Sequence, residues 1–273
     1  MGFKIAAFAD EASSSLDGQI KAMQANGVGL LEIRGVDGEN IADISAEKAR
    51  DVRKRLDDAG IGVWSLGSPF GKIGMSDDFE PHLDKFRRSL ETAHILGASH
   101  IRLFSFYGAE GIDSVLERLR RFIAAAEGSG IVLCHENEKG IYGDMASKCL
   151  EIHKALPRLR AIFDPANFIQ CGQETRAAWQ MLAPFVEYMH IKDAMPDGSV
   201  VPAGQGAGEL PYLVSQYKGE VLTVEPHLSV FAGFDKLEAG KKSAVGRFVY
   251  PDSLAAFSAA VGALESIIGG AKE

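Results

Sequence analysis

Four residues of metal-ligating type close four apolar, strand-like runs in the second half of the chain. Glu136 ends IVLCHE, Asp164 ends LRAIFD, His190 ends VEYMH and Glu225 ends VLTVE. They stand 28, 26 and 35 residues apart, and each interval fits one strand plus one helix. In a chain of such units the strands run parallel, and their C-terminal ends open on one face. Four side chains at matching strand ends can therefore converge there. Three carboxylates and one imidazole offer hard oxygen donors with a single nitrogen, a set that suits Mn²⁺ or Mg²⁺ and is compatible with Co²⁺ or Zn²⁺. A cation so held would polarise the carbonyl of a hydroxy-carbonyl substrate. Taken singly, an acid at a strand end is more often a helix cap or a solvated loop carboxylate. His190 alone is more often a hydrogen-bonded structural histidine. The joint pattern carries the inference.

The elements that must position these residues recur eight times: KIAAFAD, GLLEIRG, GVWSLG, HIRLFSF, IVLCHE, LRAIFD, VEYMHIKD and VLTVEP. Helical stretches separate them. One shows its apolar face plainly, with Leu83, Phe86, Leu90, Ala93 and Leu96 at helical spacing. Several stop at a glycine just before the next strand, as in DAGIG and ILGAS. Strands alternating with helices imply a parallel sheet, and eight units predict an α/β fold: a single (β/α)8 TIM barrel spanning 1–273. An open doubly wound sheet would carry a glycine-rich phosphate turn after strand 1, and FADEASSS has none. Asp10 or Glu11, Glu32 with Arg34, Ser65 and Ser105 mark the ends of the first four strands. Long connections follow strand 3 (GSPFGKIGMSDD) and strand 8 (from Pro226 to Asp252). Such loops at this face serve as lids or walls, or are plain surface insertions.

Composition narrows the classes. With 29 Lys+Arg against 37 Asp+Glu, the net charge of −8 discourages nucleic-acid and anionic-membrane partners. No apolar run is expected to reach the roughly 18 residues of a membrane span, and the N-terminus lacks the pattern of a signal peptide. Cys134, Cys149 and Cys171 have no CxxC spacing and read as reduced thiols of a cytoplasmic protein, with Cys134 packed in its strand. No organic cofactor is implied, and a homodimer is compatible with such a barrel.

Other positions admit two roles each. His227 lines the pocket or hydrogen-bonds within its loop. His135 precedes Glu136, so strand alternation turns it away from the pocket. Asn137 and Glu138 suit groups that orient the ligands. Arg102 and Arg34 would bind substrate or pair with Glu32, the ion pair being favoured. Gly204, Gly206 and Gly208 in AGQGAGE could meet a phosphate at a helix N-terminus. Trp64 and Phe70 could wall a sugar ring, although core packing suits Trp64 better.

The runs HENEKGIYGD, FDPAN, MHIKDA and VEPH resemble the sugar phosphate isomerase/epimerase superfamily of xylose isomerase-like barrels, over essentially the whole chain. That resemblance implies one divalent ion held by Glu136, Asp164, His190 and Glu225, with the two glutamates as acid/base partners on opposite sides of the substrate. Two departures stand out. Asn167 occupies the place of a substrate-touching histidine of the ketose epimerases, and Pro196 that of an arginine. Lys192 is the replacement for holding a substrate oxygen or phosphate; its alternative is a surface lysine paired with Asp193. The endonuclease branch of the superfamily uses a cluster of metals held by many histidines, and too few stand near these strand ends.

The expectation is thus a metal-dependent isomerase or epimerase of a small sugar, keto-sugar or sugar phosphate. Proton transfer through an enediolate needs a base beside the carbon acid and a cation near the developing oxyanion. Glu136 and Glu225 would supply the base and acid. Rival readings are a keto-sugar or keto-inositol dehydratase and, from another class, a non-catalytic sugar-binding barrel.

Overall fold

The computed structural model describes residues 2–229 and 248–270. Eight parallel strands close into a barrel: β1 (Lys4–Ala7), β2 (Leu30–Ile33), β3 (Gly62–Leu66), β4 (His100–Leu103), β5 (Val132–Glu136), β6 (Arg160–Phe163), β7 (Val186–Ile191) and β8 (Val221–Val224). Consecutive strands are neighbours, and β8 pairs back on β1 from Lys4–Val221 to Ala7–Val224.

The outer layer is helical. It comprises α1 (Leu16–Ala25), α2 (Ala46–Asp58), α3 (Phe79–Leu96), α4 (Ile112–Ala125), α5 (Ala146–Ala155), α6 (Pro165–Gln170), α7 (Thr175–Leu182), α8 (Leu210–Gln216) and α9 (Ser253–Gly270). Local chemistry sets the helix ends. Ser15, Ser45 and Asp78 cap α1, α2 and α3 by accepting from backbone N–H groups three or two residues on. Gly97 ends α3 in the left-handed region at φ 71°, where a Cβ is costly. Along α3, Leu83, Phe86, Ala93 and Leu96 are buried, and Leu90 packs partly against the same core.

Two layers fill the lumen. Strand alternation points Cys134, Ile162 and Tyr188 inward two residues before Glu136, Asp164 and His190. With Ala6 and Val221 they form an apolar floor beneath the polar mouth.

The stretch Ser253–Gly270 overturns one expectation, since by length and composition it could cross a membrane. Here it packs beside α1, α8 and β8, burying Ala256, Phe257, Ala260, Val261 and Leu264. Those five side chains pack on the barrel, while Leu254 is exposed.

The connection after β3 lies as a strap along the one after β4. Phe104 N donates to Phe70 O, Phe106 N to Gly71 O and Tyr107 N to Ile73 O. Gly71 has φ 92°, and a Cβ there would stand 2.1 Å from Phe104 O, so only glycine allows this approach. Lys72 crosses to Glu138 in the β5 connection at 2.8 Å. Phe70 is not a wall of the mouth: it is fully buried under α3 and α4 with Phe86, Phe122 and His82. Most of the long connection after β8, from 230 to 247, lies outside the described residues.

Candidate functional site

Glu136 is the last residue of β5, Asp164 and Glu225 directly follow β6 and β8, and His190 is the penultimate residue of β7. One donor atom from each lies within 4.8 Å of the others, and all four residues are buried. A buried charge without a partner costs several kcal/mol, so the placement of every neighbouring cation is informative.

Glu136 Oε2 accepts from Arg102 Nη1 at 3.0 Å, and its Oε1 lies 3.1 Å from His190 Nδ1. Burial pushes the Glu136 carboxyl up, but the His190 and Arg102 charges outweigh it and leave it below the usual range. Glu225 Oε2 lies 2.9 Å from Lys192 Nζ and 3.5 Å from His190 Nδ1, while its Oε1 meets Arg34 Nη1 at 3.4 Å. Against burial, these cations hold Glu225 well below the usual carboxylate range. Asp164 differs. Burial, reinforced by Glu225 and Glu136, raises it to about 7 despite Lys192 beside it. Asp164 Oδ1 accepts from Asn167 N at 2.9 Å. Its Oδ2 is buried 2.7 Å from Lys192 Nζ, yet off the line of any hydrogen bond.

His190 is held from behind. Its Nε2 faces Glu32 Oε2 at 3.2 Å, and Tyr188 OH donates to Glu32 Oε1 at 2.8 Å. Ser65 Oγ meets Tyr188 OH at 3.1 Å. Burial would lower the imidazole, but Glu136 and Glu32 raise it to about 10. With Glu32 taking the Nε2 proton, Nδ1 is the nitrogen turned towards the other three donors. The donor set fits a divalent ion: three oxygens and one nitrogen converge, and Asp164 Oδ2 has no hydrogen-bond donor.

The ion pair expected between Glu32 and Arg34 or Arg102 is corrected. Arg34 stands one layer above Glu32 by strand alternation, level with Asp10 and Glu11, which it binds at 2.8 and 3.0 Å. Arg102 is fixed by Glu136 and by the carbonyls of Ser68 and Gly67 in the strap. The alternative of a surface Lys192 paired with Asp193 also fails. Lys192 is 4% exposed and engages Asp164 and Glu225 instead.

Asp193 explains the three glycines. It accepts four backbone N–H bonds, from Ala194, Gly204, Gly206 and Gly208, all at 2.9 Å. A Cβ at Gly206 would lie 2.3 Å from Asp193 Oδ1. The loop cradles a carboxylate of its own chain, so these N–H groups do not serve a phosphate.

Among the residues expected to touch substrate, Asn167 and His227 stand beside the donors. Asn167 Nδ2 reaches Glu136 Oε1 at 3.3 Å and Asn137 O at 2.9 Å. His227 takes φ 45°, its N donating to Glu11 Oε2 at 2.6 Å. Burial raises Glu11 to about 8. Trp64 is the exception: it stacks on His100, the first residue of β4, at 4.0 Å and packs on the lumen floor. Besides Tyr188, aromatic rings near the charges include Phe8, edge-on to His190 at 5.2 Å, and Phe104, under Arg102 at 4.9 Å. Neither stands out in the sequence, although Phe8 lies within KIAAFAD and directly follows β1. His135 is buried outside the lumen, edge-on to His153.

Residues 20–217 match the family described as xylose isomerase-like TIM barrel. No curated protein matches the sequence. Among solved structures, the chain is similar to the IOLI protein with a binding zinc atom, at TM-score 0.73, 16% identity and 98% coverage of each chain. It is similar to an L-ribulose 3-epimerase at TM-score 0.73 and 18% identity, covering 100% of this chain and 96% of that one. It also resembles the probable 3-DHS dehydratase AsbF from Bacillus anthracis, at TM-score 0.72 and 15% identity, covering 97% of this chain and 99% of that one. The chain belongs to the xylose isomerase-like TIM barrel family.

Proposed function

We propose that the protein is a divalent-metal-dependent isomerase or epimerase of a small sugar, keto-sugar or sugar phosphate. Glu136, Asp164, His190 and Glu225 would hold the ion, which supplies Lewis-acid stabilisation of developing oxyanion charge, worth several kcal/mol. The observation that carries this reading is the pair of buried glutamates. They rise from β8 and β5, three strands apart around the barrel, and the buried guanidiniums of Arg34 and Arg102 lie 3.4 and 3.0 Å from their carboxylates and favour the ionised form. A base that stays ionised in a buried site can take a proton from a carbon beside a carbonyl, contributing about 10²–10⁴-fold. Its counterpart returns the proton to the neighbouring carbon or to the other face. Asn167 and Lys192 are placed to hold substrate oxygens.

The same first step supports a dehydratase, in which the carbanion expels a β-hydroxyl. The structural likeness to both an epimerase and a probable dehydratase keeps that second reading alongside the first. Incubation of Mn²⁺-loaded protein with ketoses, aldoses and keto-acids in D₂O, followed by NMR, separates the two. Carbon-bound deuterium in a product of unchanged formula supports isomerisation, and loss of water supports the lyase. Activity that survives complete chelation of divalent ions overturns both.

A further inference from the structure

We propose that the Lys192 ammonium competes with the divalent ion for Asp164 and Glu225, so that ion binding displaces the lysine from both. This rests on the metal reading above. Lys192 follows His190 by two positions, so strand alternation turns both into the lumen. Its Nζ lies 2.7 Å from Asp164 Oδ2 and 2.9 Å from Glu225 Oε2, and these residues are two of the four donors. An ion drawing on those oxygens would stand a few ångströms from the ammonium. Two positive centres so close in a buried, low-dielectric site repel strongly.

Four carboxylates act on Lys192: Asp164, Glu225, Glu136 and Glu138. The first three are donors. Glu138 is not, and it stands nearer solvent, with its side chain 12% exposed against 0% for Asp164. Its Oε2 already anchors Lys72 from the strap at 2.8 Å. Its Oε1 lies 3.9 Å from Lys139 Nζ, so Glu138 is already paired with two lysines. Without an ion bound, the Lys192 ammonium keeps two buried acids assembled.

Lys192→Met removes the charge and keeps the length. Mn²⁺ affinity of the full chain, read by competition with a chromophoric chelator, and Tm with and without EDTA form the test. The variant is expected to bind Mn²⁺ about tenfold tighter or more and to melt below the wild type in EDTA. Equal or weaker binding by the variant, with the wild type still binding, overturns the competition and leaves the metal reading standing. Binding by the variant alone supports the competition but sinks the metal reading for the native chain. Binding by neither overturns both. Should the variant not fold, a Mn²⁺-soaked crystal of the wild type decides. Nζ moved away from Asp164 Oδ2 supports the proposal; Nζ still within about 3 Å of it, with the ion bound, overturns it.

Discussion

Two aspartates at neighbouring strand ends are both fully buried, yet they are satisfied in opposite ways. Asp193 collects four backbone N–H bonds from a loop whose glycines admit no side chain. Asp164 has one backbone N–H, one ammonium that is poorly aligned, and an oxygen with no hydrogen-bond donor. A carboxylate saturated by its own chain holds a loop in shape and offers nothing to a ligand. One left partly unsatisfied in the same degree of burial retains lone pairs for a cation. Burial alone does not tell the two apart; the inventory of donors does.

That contrast can be broken most sharply on the donor side. Glu136→Gln or Glu225→Gln should lower deuterium exchange into substrate by about 10²–10⁴-fold per folded molecule, and should lower Tm as well, because each carboxylate also partners buried cations. Exchange within twofold of wild type would remove the glutamates from the chemistry. On the structural side, Asp193→Ala strands four N–H groups and should cost about 3 kcal/mol, a Tm drop of about 5 °C by calorimetry. Activity per folded molecule should survive.

Smaller effects sharpen the comparison. Glu32→Gln loosens the tautomer of His190 and should weaken Mn²⁺ affinity about 10–100-fold, measured by chelator competition. Unchanged affinity would place Glu32 outside the metal's support. The smallest expected effect is pH-dependent. Burial lowers His82 and His153 from 6.5 to about 4. Between those values the unfolded chain binds protons at these two sites that the folded one refuses, so their contribution to stability falls as pH drops from about 6.5 to about 4, while the raised Asp164 and Glu11 carboxyls contribute in the opposite sense. His82 Nε2 also accepts from Gly71 N, so its protonation loosens the strap. Replacing His82 with Gln should flatten part of this slope in denaturant titrations.

The sequence carried the barrel and the four donors because each donor ends an apolar run, and the repeat of strand and helix fixes which end of the barrel it occupies. It did not carry the partners of those donors. Arg34 stands two residues after Glu32, just past the end of β2, and only three-dimensional layering separates their contacts. Tyr188 could have been found, since it stands two residues before His190 and must share its face. The glycine loop misled for a physical reason: backbone N–H groups that cradle a phosphate and those that cradle Asp193 demand the same small residues. Phe70 misled because an aromatic in a loop fits an outer core or a mouth equally well on pattern alone, whereas Trp64, inside its strand, packs on the lumen floor as core packing favoured.

Asn137 has a consequence of its own. Its side-chain amide both donates to Asp164 O and accepts from Asp164 N, each at 2.9 Å, mimicking one more rung of the ladder after β5 and β6 have ended. The tips of these two strands are thereby locked in register, and Glu136 and Asp164 travel as a single block. A transplant of 132–167 into another eight-stranded scaffold would carry half of a ligand set already aligned, whereas grafting the two acids without the amide would leave their spacing to chance.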